Sequence, residues 1–105
     1  MTRLAAALLL LAAAAAGCAR QAPRTYTVTI ADMAFGPVPA EARTGDTIRW
    51  VNADILQHTA TAEDGSFDVD LAPKTSGSTV LRRPGRVAFH CRYHPGMVGQ
   101  ISVAG

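Results

Sequence analysis

The sequence predicts an all-β domain, an antiparallel sandwich of seven to eight short strands preceded by an export signal, and three observations predict it. Apolar and polar residues alternate at period two in several short segments. Clusters of Gly, Pro, Asn and Asp punctuate those segments at close spacing. Beyond the first 18 residues no stretch shows the three-and-four spacing of an amphipathic helix.

Residues 1–17 read as a secretory signal. Arg3 is the early positive charge, residues 4–16 are the apolar run, and Ala15, Ala16 and Gly17 form the small-residue boundary. At about 13 residues the run falls short of the roughly 20 that span a bilayer. The stretch Ala15-Ala16-Gly17-Cys18 resembles the lipobox of bacterial lipoproteins, with Ala15 where Leu is usual. That resemblance implies an acylated Cys18, a short tether over residues 18–24, and a domain over residues 25–105 held close to a membrane face. The plainer alternative is cleavage after the Ala run, which leaves Cys18 as a free thiol, a liability in an oxidising compartment. A Cys18–Cys91 disulfide is not expected, because Cys18 sits at the leader junction and Cys91 belongs to the loop described below.

From residue 25 the period-two pattern begins. Tyr26, Val28 and Ile30 alternate with Thr25, Thr27 and Thr29, the signature of a half-buried strand. Met33 and Phe35 continue it as a short apolar piece expected in the core, and Gly36-Pro37-Val38-Pro39 ends it. Residues 41–43 are weakly extended. Gly45-Asp46 turns into a strand over residues 47–52, which places Ile48 and Trp50 on one face with the indole N–H satisfied inside. Residues 52–57 form a loop, and His58 stands at its end before Thr59-Ala60-Thr61-Ala62. Asp64-Gly65 is a further turn, Phe67, Val69 and Leu71 alternate weakly, and residues 73–78 read as a loop. Three strands close the chain over residues 79–82, 86–91 and 98–103, with Pro84-Gly85 turning between the first two.

Composition narrows the function. Ten Lys plus Arg against eight Asp plus Glu give a net charge of +2, roughly +1 once Arg3 leaves with the leader, which is too balanced for an electrostatic nucleic-acid binder. The leader also inflates the apolar fraction. About 80 residues remain to fold, a size at which a metal, a disulfide or a partner commonly adds stability.

The chemistry concentrates in His90-Cys91-Arg92-Tyr93-His94-Pro95-Gly96-Met97. A thiolate, an imidazole and a thioether at C-x-x-H-x-x-M spacing are soft or borderline ligands that favour copper, zinc or iron over magnesium or calcium, and the thioether favours copper. Two His and one Cys in a plane with a long axial Met describe a blue-copper electron-transfer site, so a second imidazole is required. Outside the loop the chain has only His58. Alternation along residues 86–91 turns Val87, Phe89 and Cys91 inward and His90 outward, so His90 is not expected to bind the ion. Taken singly, His58 could be a solvated histidine, Cys91 a structural thiol and Met97 a core residue. Their joint spacing argues against all three readings. A two-His, one-Cys zinc site would want a fourth strong ligand or water, and no acidic residue lies in the loop.

Residues 25–105 resemble the cupredoxins. The likeness rests on Phe89-His90-Cys91-x-x-His94-Pro95-x-Met97, followed by a glycine and an apolar strand, and on Gly45-Asp46-Thr47 and Trp50-Val51-Asn52 followed by His58. It implies a Greek-key sandwich of the amicyanin and plastocyanin kind, one copper ion cycling between Cu(I) and Cu(II), and the ligands His58, Cys91, His94 and Met97. Two positions depart from the pattern. Thr59 stands where these proteins commonly carry an Asn that ties the two ligand loops together, and Arg92 brings a positive charge beside Cys91.

Type 1 copper suits electron transfer because one coordination sphere serves both oxidation states. The expected activity is one-electron carriage between exported or membrane redox partners, without enzymatic turnover. Such partners would dock transiently where Pro95, Gly96 and Met97 ring His94, with His90 as a second exit for electrons. The alternative is a copper storage or delivery protein of the cell envelope; a zinc-binding structural module is more distant. The expected location is the periplasm or envelope, with the lipid on Cys18 attaching a monomer to the membrane.

Overall fold

The computed structural model describes residues 21–105, so the signal over residues 1–17, Cys18 and the first part of the tether lie outside the described residues. Nine strands follow in order: β1 (Thr25–Ala31), β2 (Ala34–Phe35), β3 (Ala42–Arg43), β4 (Thr47–Asn52), β5 (His58–Ala62), β6 (Asp68–Leu71), β7 (Ser76–Val80), β8 (Gly85–Cys91) and β9 (His94–Ala104). Their hydrogen-bonded orders are β2-β1-β4-β7 in one sheet and β3-β9-β8-β5-β6 in the other. Among the described residues there is no helix. The two sheets make the sandwich that alternation predicts, and β2 and β3 are two-residue pieces beside seven longer strands.

Two pairings depart from the antiparallel expectation. β1 runs parallel to β4, with Val28 opposite Trp50, and β3 runs parallel to β9. Between β1 and β4 the chain crosses to the other sheet as β3 and returns, so β4 enters in the direction of β1. Alternation reports which face is buried and is silent on strand direction.

The inward faces close over one core. Val28, Ile30, Ile48 and Trp50 from the first sheet meet Val87, Phe89, Ile101 and Val103 from the second, all buried. Phe89 packs edge-on against Phe35 at 4.8 Å and Trp50 at 5.1 Å between ring centroids, which locks the two sheets across their middle. Each such pair adds about 0.5–1.5 kcal/mol beyond its buried area. The indole N–H of Trp50 donates to Thr79 Oγ1 at 2.9 Å, as expected for a lone buried Trp.

Three local expectations change. Met33 is 40% exposed, because Asp32 and Met33 form the β1–β2 turn with φ of 52° and 62°. Left-handed backbone at two non-glycine residues costs energy, and the carboxylate of Asp54 offsets it by accepting the N–H of Asp32 at 2.8 Å and of Met33 at 3.0 Å. The strand expected over residues 79–82 starts earlier, at Ser76, because Gly77 lies opposite Trp50 in β4 and tertiary pairing overrides a weak local preference. The last strand likewise begins at His94, not near Val98. Cys91 pairs with His94 after a register shift at His90/Cys91, so Arg92-Tyr93 makes the reversal and Pro95-Gly96 already belongs to β9.

Candidate metal centre

β8 delivers Cys91 at its final residue, on the same face as Val87 and Phe89, and all three side chains are buried. The Arg92-Tyr93 turn then returns His94 to the first position of β9. From the other direction, the loop after β4 delivers His58 as the first residue of β5, with no exposed surface. β5 pairs with β8 in one sheet, so residues 33 positions apart in the chain meet at one end of the sandwich.

Among the described residues, His58, Cys91 and His94 form a group whose ligand atoms lie within 4.8 Å of one another. His58 Nδ1 is 3.2 Å from His94 Nδ1, while Cys91 Sγ is 3.8 Å from the first and 3.5 Å from the second. A triangle with those edges has an interior point about 2.0 Å from each corner, close to the roughly 2.0–2.1 Å of a metal–imidazole bond and just short of the roughly 2.3 Å of a metal–thiolate bond. The donor set therefore fits one ion held by two imidazoles and a thiolate. Met97 is buried on β9 in the same core cluster as Cys91, three residues beyond His94. His90 points to the outer face, half-buried, with Nδ1 against the Glu63 carboxylate, and stands apart from the trio.

The supports of these three side chains are specific. His58 Nε2 donates to Asp54 Oδ2 at 2.8 Å, so a neutral His58 carries its proton on Nε2 and turns a bare Nδ1 lone pair toward Cys91 and His94. Asp54 lies below the usual carboxylate range, chiefly because the Met33 N–H bonds it, and then through His58 and the Asp32 N–H, with burial opposing. Cys91 Sγ accepts the Thr59 N–H at 3.4 Å. Thr59 Oγ1 accepts the Arg92 N–H at 2.9 Å, so the hydroxyl at position 59 does tie the two ligand segments together. The guanidinium of Arg92 reaches away from the sulfur, to Asp68 and Asp70 at 3.2 Å each.

Two residues support the centre in ways that the sequence pattern does not state, Asn52 and Asp54. Asn52 is 1% exposed, and the two protons of its side-chain amide are shared among the carbonyls of Leu56, Leu71 and Ala72 while its oxygen accepts the Asp54 N–H at 2.9 Å. Asp54 then holds both His58 and the β1–β2 turn. The signal available was Asn52-x-Asp54 at the end of a strand, the spacing of an Asx turn.

Comparison with known proteins places the fold and the family. The family model of the cupredoxin-like domain matches residues 2–103. The methylamine utilization protein MauL of Methylorubrum extorquens is 32% identical over 83 residues, covering 75% of this chain and 73% of that protein. Among solved structures, a reduced amicyanin variant superposes with a TM-score of 0.65 at 24% identity, covering 75% of this chain and 81% of its own. The Cu(I) form of another amicyanin variant gives 0.65 at 24% identity over 79% of this chain and 85% of that one. At that identity the amicyanins establish the fold, while the domain match and the MauL relative establish the family. The chain belongs to the cupredoxins, a family of electron carriers and not of enzymes, with one copper ion as its cofactor.

Proposed function

We propose that this chain is an exported one-electron carrier whose copper ion is held by His58, Cys91 and His94 with Met97 as the weak axial ligand. The observation that carries this is the convergence of two imidazole nitrogens and one sulfur at the spacing of a single ion. Copper bound there supplies a centre that gains or loses one electron with little rearrangement. The protein's part is rigidity: Asp54 fixes the His58 ring, the Thr59 N–H supports the sulfur, and the Arg92–Thr59 bond holds the two ligand segments in register.

The route for electrons follows from exposure. His58 is 0% and Cys91 1% exposed, whereas His94 is only half-buried and its neighbours Pro95 and Gly96 are exposed. Ile55 and Leu56, in the loop leading to His58, add exposed apolar surface before the first ligand. A small apolar face around His94 suits a weak, short-lived encounter with a redox partner, and His90 on the outer face beside Cys91 offers a second exit. A monomer leaves that face free.

The anchor reading is supported by where the chain enters. β1 starts at the end of the sandwich opposite the ligands, so a lipid on Cys18 would turn the His94 face away from the membrane. At that opposite end Arg24, Arg43 and Arg86, against the single carboxylate of Glu41, line one open cleft of about 800 Å³, a net cationic surface toward anionic headgroups. The proposed location is the periplasmic face of the cell envelope.

Electrochemistry of the copper-loaded protein tests the carrier. A reversible one-electron wave, with the ion retained by both states in the presence of a chelator, supports it. Loss of copper on reduction makes the chain a copper-delivery protein instead. Labelled fatty acid entering only when Cys18 is present supports the anchor, and no incorporation reduces it to a plain export signal.

A further inference from the structure

We infer that Thr61 and Asp68 are positioning residues for the Cys91 thiolate, acting through the hydroxyl of Thr59; the inference rests on the copper reading above. Three short hydrogen bonds run in series from solvent to the ligand loop. Thr61 Oγ1 meets Asp68 Oδ1 at 2.8 Å, Thr59 Oγ1 meets Thr61 Oγ1 at 2.9 Å, and the Arg92 N–H meets Thr59 Oγ1 at 2.9 Å.

Counting protons fixes their direction. An ionised carboxylate only accepts, so Thr61 donates its single hydroxyl proton to Asp68. Thr61 is then left with lone pairs alone toward Thr59, and Thr59 must donate to it. With that proton committed, Thr59 presents a lone pair to the backbone N–H of the residue that follows Cys91. The backbone N–H of Thr59 itself donates to the Cys91 sulfur at 3.4 Å. Thr59, fully buried, therefore grips the ligand loop both at the thiolate and one residue beyond it.

Without Asp68 and Thr61 the hydroxyl would be free to rotate, and its proton could face the Arg92 N–H. The edge strand β6 thus sets the hydroxyl's orientation from outside the core. Its second acidic residue closes the same loop from the other side: Asp70 Oδ1 accepts from Arg92 Nη2 at 3.2 Å and from the Tyr93 hydroxyl at 3.3 Å. A hydroxyl relay thereby does at position 59 what a single longer side chain could do alone.

Two readouts test this. In the metal-free protein, Thr61→Val should speed hydrogen exchange of the Arg92 amide by about tenfold or more, with the amides of β1 and β4 unchanged. In the copper-loaded protein the same change should lower the reduction potential and shift the sulfur-to-copper absorption, because a looser Thr59 N–H stabilises the electron-rich sulfur less. Both effects should vanish when Thr61→Val is made in a Thr59→Val background, since the relay acts only through that hydroxyl. Should Thr61→Val fail to fold, Asp68→Ala cuts the exposed link and should move both readouts in the same direction. Arg92→Gln keeps the backbone N–H and should leave Arg92 exchange within about twofold. Unchanged exchange in Thr61→Val, additive effects with Thr59→Val, or an Arg92→Gln variant that reproduces Asp68→Ala would each overturn the relay. A wild-type protein lacking the charge-transfer band while its exchange results hold would overturn the copper reading and leave the relay as a structural tie.

Discussion

Replacing Asn52 by Ala should destabilise the domain more than any ligand substitution in the metal-free state. Its side chain spans three segments: the loop at Leu56, the end of β6 at Leu71 and Ala72, and the start of the His58 loop at Asp54. Leu56, Ala72 and the Asp54 N–H bond Asn52 at part-buried positions and can turn to water, so the loss falls chiefly on the buried Leu71 carbonyl. An orphaned buried group costs about 1–3 kcal/mol, which gives about 2 kcal/mol here. For a domain of this size that corresponds to a fall in Tm of roughly 8–16 °C. Copper affinity should fall with it, because the same loop carries Asp54 and His58. Thermal unfolding followed by circular dichroism, with and without copper, measures both. A loss under about 0.5 kcal/mol, with copper affinity unchanged, would refute the view that Asn52 organises the loop.

Other substitutions test separate parts of the account. Gly99→Ala would put a Cβ 2.5 Å from the ring of fully buried Phe89, and overpacking there should cost about 2–3 kcal/mol by denaturant titration; Gly96→Ala, with open space around it, should be neutral within about 0.5 kcal/mol. Asp54→Ala should weaken copper binding about 10–100-fold in competition titrations, because the His58 ring loses the partner that orients it. Asp46 lies below the ordinary carboxylate range, first because the Arg24 N–H bonds it, with burial opposing and the Arg43 N–H adding to the effect. Its folded value is below its unfolded one, so its contribution is complete above the ordinary range and is lost as pH falls through the depressed value. Asp46→Asn should cost about 1–2 kcal/mol at neutral pH and flatten the acid limb of the stability profile.

The convergence of His58, Cys91 and His94 was legible because it follows from residue type and spacing. Cys91 and His94 lie in one short loop, and a site one imidazole short left only His58 to supply it. The β1, β4 and β8 cores were legible for a related reason, since alternation states which side chains turn inward. Strand direction was not, because β1 and β4 keep the same alternation whether parallel or antiparallel. Met33 misled because an apolar residue after an apolar strand reads as core, while its exposure follows from a carboxylate 21 positions away holding two left-handed residues. The roles of Asn52, Asp54, Thr61 and Asp68 were hidden for the same reason: each depends on partners that only the folded sheet brings within reach. Arg92 illustrates the converse, since its charge was visible and its direction, toward Asp68 and Asp70, was not.

The most direct measurement of the central claim is the visible and electron-spin resonance spectrum of the purified domain loaded with one equivalent of Cu(II). Intense sulfur-to-copper absorption with a narrow copper hyperfine splitting, lost in Cys91→Ala and retained with a shifted potential in Met97→Ala, is the result this account predicts. A colourless protein with an ordinary tetragonal copper signal would contradict it.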